Sequence, residues 1–549
     1  MVNQKKRPNI LWISIEDTSP RFGCYGDNLA HTPNIDKLAS QGRTYTNAFS
    51  TSGVCAPSRS SIITGMYQTA IGTHHMRTAH QNKYTPELPT PYEAVPPAYV
   101  KTFTEYLRTE GYFCTNNFKT DYQFEPPLSA WDENGHHAHW RHRETNQPFF
   151  SVFNPMLTHE SSMWADWIRN SHYSESDKLK FEITDPEKVE VPPYLPDTPK
   201  TREAIATQYN RIAEVDAQVG LILNELEEDG LVENTIVFLW SDHGEGLPRA
   251  KRWPYDAGIR VPLIVRWPGV IEEDQTSEQM VSMIDLGPTV LSITESMKPY
   301  HLQGRPFLGE EMEEREYIFA TRDRHDQAYD KVRAVRDKRF KYIRNYYPEK
   351  PYLLWTSFSH HHPAFQELWR LALKNELNQQ QMLFMQTKRP PEELYDCEND
   401  PFELKNLAKD QAYQRELNRL RYVLDEWCNK YDTWGNVTEE QMVLQMWPNG
   451  VQPTTASPIF IAINSQEFGF EPTDSKKFKE PTAISLHSAT EGASIIYTLE
   501  ETEHPKWKLY TGPIQLSHSS TIIRAKAVRI GYKDSEEVKG IFEIDSEKA

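Results

Sequence analysis

Residues Asn9–Ile15 (NILWISI) read as one continuous apolar run. Such a run shows no alternation between an inner and an outer face. It fits a strand of a parallel sheet buried on both sides, with helices covering each face, and so an α/β fold. Pro148–Phe153 is a second run of this kind. Glu16 and Asp17 come after the first run, at the carboxyl edge of the sheet, where open α/β sheets gather their ligands. Two adjacent carboxylates repel unless a cation lies between them. The alternative is a solvated loop that caps a helix.

The 549 residues allow two or three domains, and 14 Trp and 27 Tyr can fill large cores. A net charge of −18 argues against a nucleic-acid partner. It also requires any anionic substrate to be met by a local basic pocket, because the overall field repels it. Five scattered cysteines form neither a disulfide framework nor a zinc pattern. No apolar run is long enough for a transmembrane segment. Lys5-Lys6-Arg7 leads straight into the first strand without the apolar core of a signal peptide. The expected location is therefore cytoplasmic, or periplasmic or secreted if a signal peptide has been removed.

Val54–Gly65 carries the densest chemistry. Cys55 stands three residues before Ser58 and four before Arg59, and Thr64-Gly65 come after an Ile pair. Pro57-Ser58 marks a turn into a helix. A helix N-terminus, with unpaired N–H groups and partial positive charge, suits an anion. Arg59 adds a planar cation matched to an oxyanion. A lone cysteine in such a place also fits a buried structural residue. The whole string, Cys-x-Pro-Ser-Arg with Thr-Gly at this spacing, resembles the signature of the sulfatase family.

That resemblance implies a formylglycine derived from Cys55, installed by a formylglycine-generating enzyme, whose hydrate attacks sulfur. It also implies bound Ca2+, with the group at Cys55 among its ligands. Sulfatases place two Asp at the first strand end, where this chain has Glu16 and Asp17; the second matches and the first is one methylene longer. Thr235–Trp240 resembles the last metal-binding strand, and Ser241-Asp242-His243-Gly244 fits the family's string there. An oxygen-rich set suits calcium better than zinc, so His243 is either a ligand or a hydrogen-bond donor to sulfate or nucleophile. Lys119 matches the lysine of Gly-Lys-x-His, whereas Asp121 stands at the usual histidine. Asp121 then holds another group, orients Lys119 or touches substrate. His159 falls at the distance of a sulfate-contacting histidine beyond a Phe-rich strand. Lys251, ahead of Tyr-x-x-Gly-x-Arg-Val-Pro, takes a sulfate-binding position, and Arg260 a structural one.

His74, His75 and Arg77 line either a sugar pocket or a surface loop. Asp132–Arg143, rich in His, lacks the spacing of a metal site and reads as solvated. Strand-like runs over 317–347 suggest a small antiparallel sheet. Between them Arg322, Arg324 and His325 lie where the sulfamidase-like branch faces its sugar. Residues 436–480 read as a polar connector. Short alternating strands from 481, with runs at 493–499, 509–514 and 521–528, resemble the C-terminal module of chitobiase-type hexosaminidases.

The expected fold is α/β: an alkaline-phosphatase-like large mixed sheet flanked by helices, a smaller antiparallel C-terminal subdomain and an appended β-sandwich. The expected domains are 8–310, 311–435, the connector 436–480 and the module 481–549. The expected function is hydrolysis of sulfate esters, or N-sulfate, on sugars of sulfated polysaccharide or glycosaminoglycan fragments. The alternatives are a phosphodiesterase or phosphonate hydrolase of the same superfamily, and a non-catalytic sugar-binding relative.

Overall fold

Eight strands form the central sheet of the computed structural model, which describes residues 7–76, 91–164, 183–466, 472–516 and 520–545. They are β1 (Asn9–Ile15), β2 (Arg43–Phe49), β3 (Phe113–Asn117), β4 (Glu133–Asn134), β5 (Phe149–Phe153), β6 (Thr235–Ser241), β7 (Leu263–Arg266) and β8 (Gln275–Ser282). Their order is β4-β3-β5-β1-β6-β7-β2-β8. All neighbours pair in parallel except at β7, which is antiparallel to β6 and to β2. β1 is central and buried along its whole length. Its even-numbered Ile10 and Trp12 pack with Phe103, Phe150, Phe238 and Trp240 on one face. Its odd-numbered Leu11, Ile13 and Ile15 pack with Ile212, Val215 and Val219 of the helix Pro199–Glu228 on the other. Full burial of each such side chain contributes about 1.5–3 kcal/mol, which explains why the run is not broken by a charge.

Strand register sets where the loops beyond the strands emerge. Ile13 pairs with Phe153, and Ile15 with Ser241. The residues just beyond β1, β5 and β6 therefore leave the sheet side by side at one edge. The ends of β3 and β2 face the same way.

A second, four-stranded antiparallel sheet is ordered β12-β11-β10-β9, with β9 Ile318–Arg322, β10 Val332–Arg336, β11 Phe340–Asn345 and β12 Glu392–Asp396. The helix Gln414–Tyr431 covers it through Leu417, Leu420, Leu424 and Trp427. A bridge between Ser52 and Thr321 ties β9 to the loop before Cys55.

The C-terminal residues form two packed sheets, one ordered β13-β15-β18 and the other β14-β20-β19-β16-β17. Their ranges are β13 Ile459–Ile463, β14 Ser475–Phe478, β15 Ala483–His487, β16 Ser494–Thr498, β17 Lys508–Leu509, β18 Ile514–Gln515, β19 Ser520–Val528 and β20 Val538–Ile544. Two sequence readings need correction. β13 and β14 lie inside the span read as a connector; β13 pairs with β15 and turns Phe460 and Ala462 into the sandwich core. The run 509–514 is split between β17 and β18, on different sheets, by Thr511-Gly512-Pro513, which breaks strand pairing.

This sandwich rests on the segment 94–108. Lys101 Nζ donates to Gly492 O at 2.7 Å and Ser494 Oγ at 2.6 Å. Gly492 and Gly531 have φ of 71° and 77°, and a Cβ on either would meet Ala98 O at 2.0 Å or Ala94 O at 2.2 Å. Only glycine allows that approach. Among the described residues no helix is long and apolar enough to cross a membrane.

Candidate active site

The helix Cys55–Thr64 starts at the sheet edge, with Val54 extended as its N-cap. All ten of its residues are buried. Cys55 occupies the first turn, and its Sγ lies 3.3 Å from His243 Nε2. Ser58 anchors this turn by donating to Asp242 O at 2.5 Å. Burial pushes the Cys55 thiol up, although Lys119 and Lys251 pull it down.

Around Cys55 the strand ends deliver their side chains as the register requires. Ligand atoms of Asp17, Cys55, Asp242 and His243 all lie within 4.8 Å of one another, as do those of Glu16, Asp17, Cys55 and His159. Asp17 has φ of 42°, a left-handed backbone rare outside glycine and frequent at strained functional positions. Its Oδ2 accepts from Lys251 Nζ and from the Glu160 N–H, each at 2.7 Å. Its buried Oδ1 accepts no well-aligned hydrogen bond, although His243 Nε2 is 3.1 Å away. Lys119 Nζ donates to Glu16 Oε2 at 2.6 Å and pairs with Asp121 at 3.1 Å. Arg59 is fully engaged: Nε on Asp242 Oδ2, Nη1 on Asn154 Oδ1 and Nη2 on Ser14 Oγ, each at 3.1 Å, with Nη2 also on Glu16 Oε1.

The electrostatics arise from burial. Desolvation works against ionisation of Asp17, yet Lys251 and His243 hold its carboxyl well below the usual range. For Glu16, burial, joined by Asp242 and Asp17, outweighs Arg59 and Lys119 and raises the carboxyl. Three carboxylates crowded so closely leave room for a further positive charge. That crowding, together with the orphaned Asp17 Oδ1, fits a divalent cation held mainly by oxygen. His243 directs Nδ1 at Gly244 O, 2.9 Å away.

His159 lies across the cage. Its Nδ1 faces Ser161 Oγ at 2.8 Å and accepts from Ser161 N–H, which leaves the ring proton on Nε2. Burial, and then Lys251, lowers its pKa to about 3, so the ring is neutral. Nε2 lies 3.5 Å from Lys251 Nζ. Two donors this close mark the position of an acceptor between them.

The structure thus brings Glu16, Asp17, Cys55, Arg59, Lys119, Asp121, His159, Asp242, His243 and Lys251 together. It places the other sequence candidates in a neighbouring region. His74 and His75 are buried, with ring centroids 4.1 Å apart and tilted by 41°, not on a surface loop, because Met76 pairs with His325 and packs against Cys55. His75 Nδ1 accepts from the Arg324 N–H at 3.2 Å. Arg324 pairs with Glu439 and lies over the Tyr329 ring. His325 is buried, with Nε2 3.5 Å from Asp326. Arg322 turns inward, stacking 3.5 Å over the Trp253 ring and 3.3 Å from Asp330, so it does not stand open to a sugar. Arg77 lies outside the described residues. In the 132–143 segment, His142 pairs with Glu133, and His139 and Arg141 with the helix Pro199–Glu228 and its C-cap Asp229. Arg260 donates twice to Thr46 O and is structural.

Sequence reasoning missed Ser14, Asn154, Glu160 and Arg252. Asn154 bridges Arg59 to Asn116 Oδ1, 3.0 Å away. Glu160 takes both Arg252 Nη groups while its N–H holds Asp17. The available signal was adjacency: each sits on or beside a buried strand end or a singled-out residue.

The chain is also similar to known proteins. Residues 8–125 and 136–296 match the sulfatase family. Residues 244–363 match the N-sulphoglucosamine sulphohydrolase C-terminal family, and 473–539 the chitobiase/beta-hexosaminidase C-terminal domain. An ulvan-active sulfatase of Formosa agariphila is 42% identical, over 97% of this chain and 91% of its own. Human N-sulphoglucosamine sulphohydrolase is 27% identical over 81% and 95%. The solved structure of a 2-O GAG sulfatase superposes with a TM-score of 0.57 at 19% identity, over 79% of this chain and 94% of that one.

Proposed function

The chain belongs to the sulfatase family, and on that premise we propose that it hydrolyses sulfate esters on the sugars of a sulfated polysaccharide, with Cys55 as the precursor of its nucleophile. The observation that carries this reading is the position of Cys55, at a buried helix N-terminus inside a cage of carboxylates, lysines and one neutral histidine. Cys55 would be converted to formylglycine by a formylglycine-generating enzyme, and the hydrate would supply an oxygen nucleophile for sulfur. Glu16, Asp17 and Asp242, with His243 beside them, would hold Ca2+, which would supply charge neutralisation.

The protein's own groups do the rest. Lys119 and Lys251 reach the cage through different carboxylates, Glu16 and Asp17, and grip nonbridging sulfate oxygens. Arg59 fixes Glu16 and Asp242 and keeps the strand ends in place. His159, held by Ser161 with its proton on Nε2, donates a hydrogen bond to the departing oxygen. Asp121 orients Lys119 from the open edge of the cage.

The 42%-identical relative makes ulvan oligosaccharides the first substrate to test, and human N-sulphoglucosamine sulphohydrolase makes an N-sulfated glucosamine the second. A polymeric substrate of this kind is met outside the cytoplasm, so the reading carries a periplasmic or secreted location with it. The deciding experiment pairs the mass of the tryptic peptide containing residue 55 with sulfate release from ulvan oligosaccharides. An unmodified cysteine in active enzyme defeats the formylglycine reading. Faster hydrolysis of phosphonate or phosphate esters than of sulfates replaces the sulfatase reading with a phosphohydrolase.

A further inference from the structure

A cavity of about 460 Å3 adjoins the cage. Its volume lies within the range of small-ligand sites. Its lining includes His159 and Asn154, the residues that touch Lys251 and Arg59 of the cage. Its walls are Phe118 of the β3 loop, Met156 and Leu157 beyond β5, and Leu221 and Ile222 of the helix Pro199–Glu228. Phe118 is backed by the His136 ring at 3.6 Å. Among the described residues the lining contains no Lys, Arg, Asp or Glu.

From this we infer that the cavity is the subsite for the ring carrying the scissile sulfate, and that it takes an uncharged ring through its apolar face. This rests on the sulfatase reading above. With sulfate in the cage and the bridging oxygen at His159 Nε2, the attached ring has to lie on the His159 side, where the cavity begins. A second sulfate or a carboxylate on that ring would lose its water without a cation to meet it, which strongly disfavours a charged ring. A neutral ring meets Phe118 and the aliphatic wall with its C–H face, while Asn117, Gln218 and Ser161 supply polar groups for hydroxyls. The cage therefore reads the sulfate by charge, and the cavity reads the ring by the absence of charge.

Two substitutions test this in the full chain. Phe118→Ala removes a partly exposed platform, and Leu221→Lys puts a cation on an exposed wall residue. Phe118→Ala is expected to raise KM for ulvan oligosaccharides about tenfold with little change in kcat. Inhibition by inorganic sulfate should be unchanged, because the cage is intact. Leu221→Lys is expected to weaken the same substrates. Unchanged KM in both variants overturns the proposal, whereas improved KM in Leu221→Lys for a substrate whose sulfated ring bears a second anion supports it, because the new cation meets that charge. Calorimetric binding of desulfated ulvan oligosaccharide separates this inference from the sulfatase reading. Binding by the wild type that Phe118→Ala loses supports the cavity even if no sulfate is released. Absence of wild-type binding overturns it.

Discussion

The cage around Cys55 and the region of His74, His75 and residues 322–326 are both buried and highly charged, yet they are held differently. In the cage each carboxylate stands on or just beyond a parallel strand end, and neighbouring strands in register fix the spacing. In the second region the side chains sit on loops or, for Arg322, at the last residue of β9, and are pinned one by one: Arg324 by Glu439, His75 by the Arg324 N–H, and Arg322 by Trp253 and Asp330. Glu439 opens the helix Glu439–Met446, which buries Met442, Val443 and Met446 against Tyr92 and Ala94. Tyr92 OH also donates to Glu439 at 2.9 Å. Backbone geometry sets the first region and a side-chain network sets the second. Damage in the cage should thus strike chemistry on every substrate, and damage in the network should strike recognition of large ones.

The largest break should come at Cys55. Cys55→Ala is expected to lower turnover at least a thousandfold on every substrate, with an unchanged circular dichroism spectrum. Normal turnover by this variant ends the formylglycine reading. Next come the two lysines. Lys119→Ala or Lys251→Ala should cost about 10²–10³ in kcat/KM on a small aryl sulfate and on oligosaccharides alike. A loss confined to one substrate would move that lysine out of the sulfate grip.

Chelation probes the cage without mutation. Dialysis against a calcium chelator should abolish activity on both substrates, and added Ca2+ should restore it. Calcium at a hundred times its Kd contributes roughly 2.7 kcal/mol of stability, so the melting temperature should fall by a few degrees on its removal. An enzyme that keeps full activity and melting temperature after exhaustive chelation does not hold its cage with calcium.

The smallest effect sharpens the comparison. Arg324→Ala or Glu439→Gln should weaken oligosaccharide cleavage about tenfold and change aryl sulfate cleavage less than about twofold, since the aryl ester lacks the distal contacts. Equal losses on both substrates would mean that the network supports the cage and does not read the sugar.

Much of this protein is written in its linear order. The apolar runs at Asn9–Ile15 and Thr235–Trp240 announce β1 and β6 because a strand buried on both faces tolerates no charge. The residues after them reach the sheet edge by chain continuity alone, so Glu16, Asp17, Asp242 and His243 were legible. Cys55 and Arg59 were legible because their motif is local to one helix start. Asn154, Glu160 and Arg252 became part of the site only through pairings across the fold, such as Arg59 with Asn154. A sequence shows a strand end but not which strand lies beside it. The inward turn of Arg322 depends on the Trp253 ring, the burial of His74 and His75 on the bridge from Met76 to His325, and the strand at Ile459–Ile463 on its partner β15. Each involves residues far apart in the chain. Local chemistry selected the elements, and the tertiary structure decided which charged groups lost their water to one another.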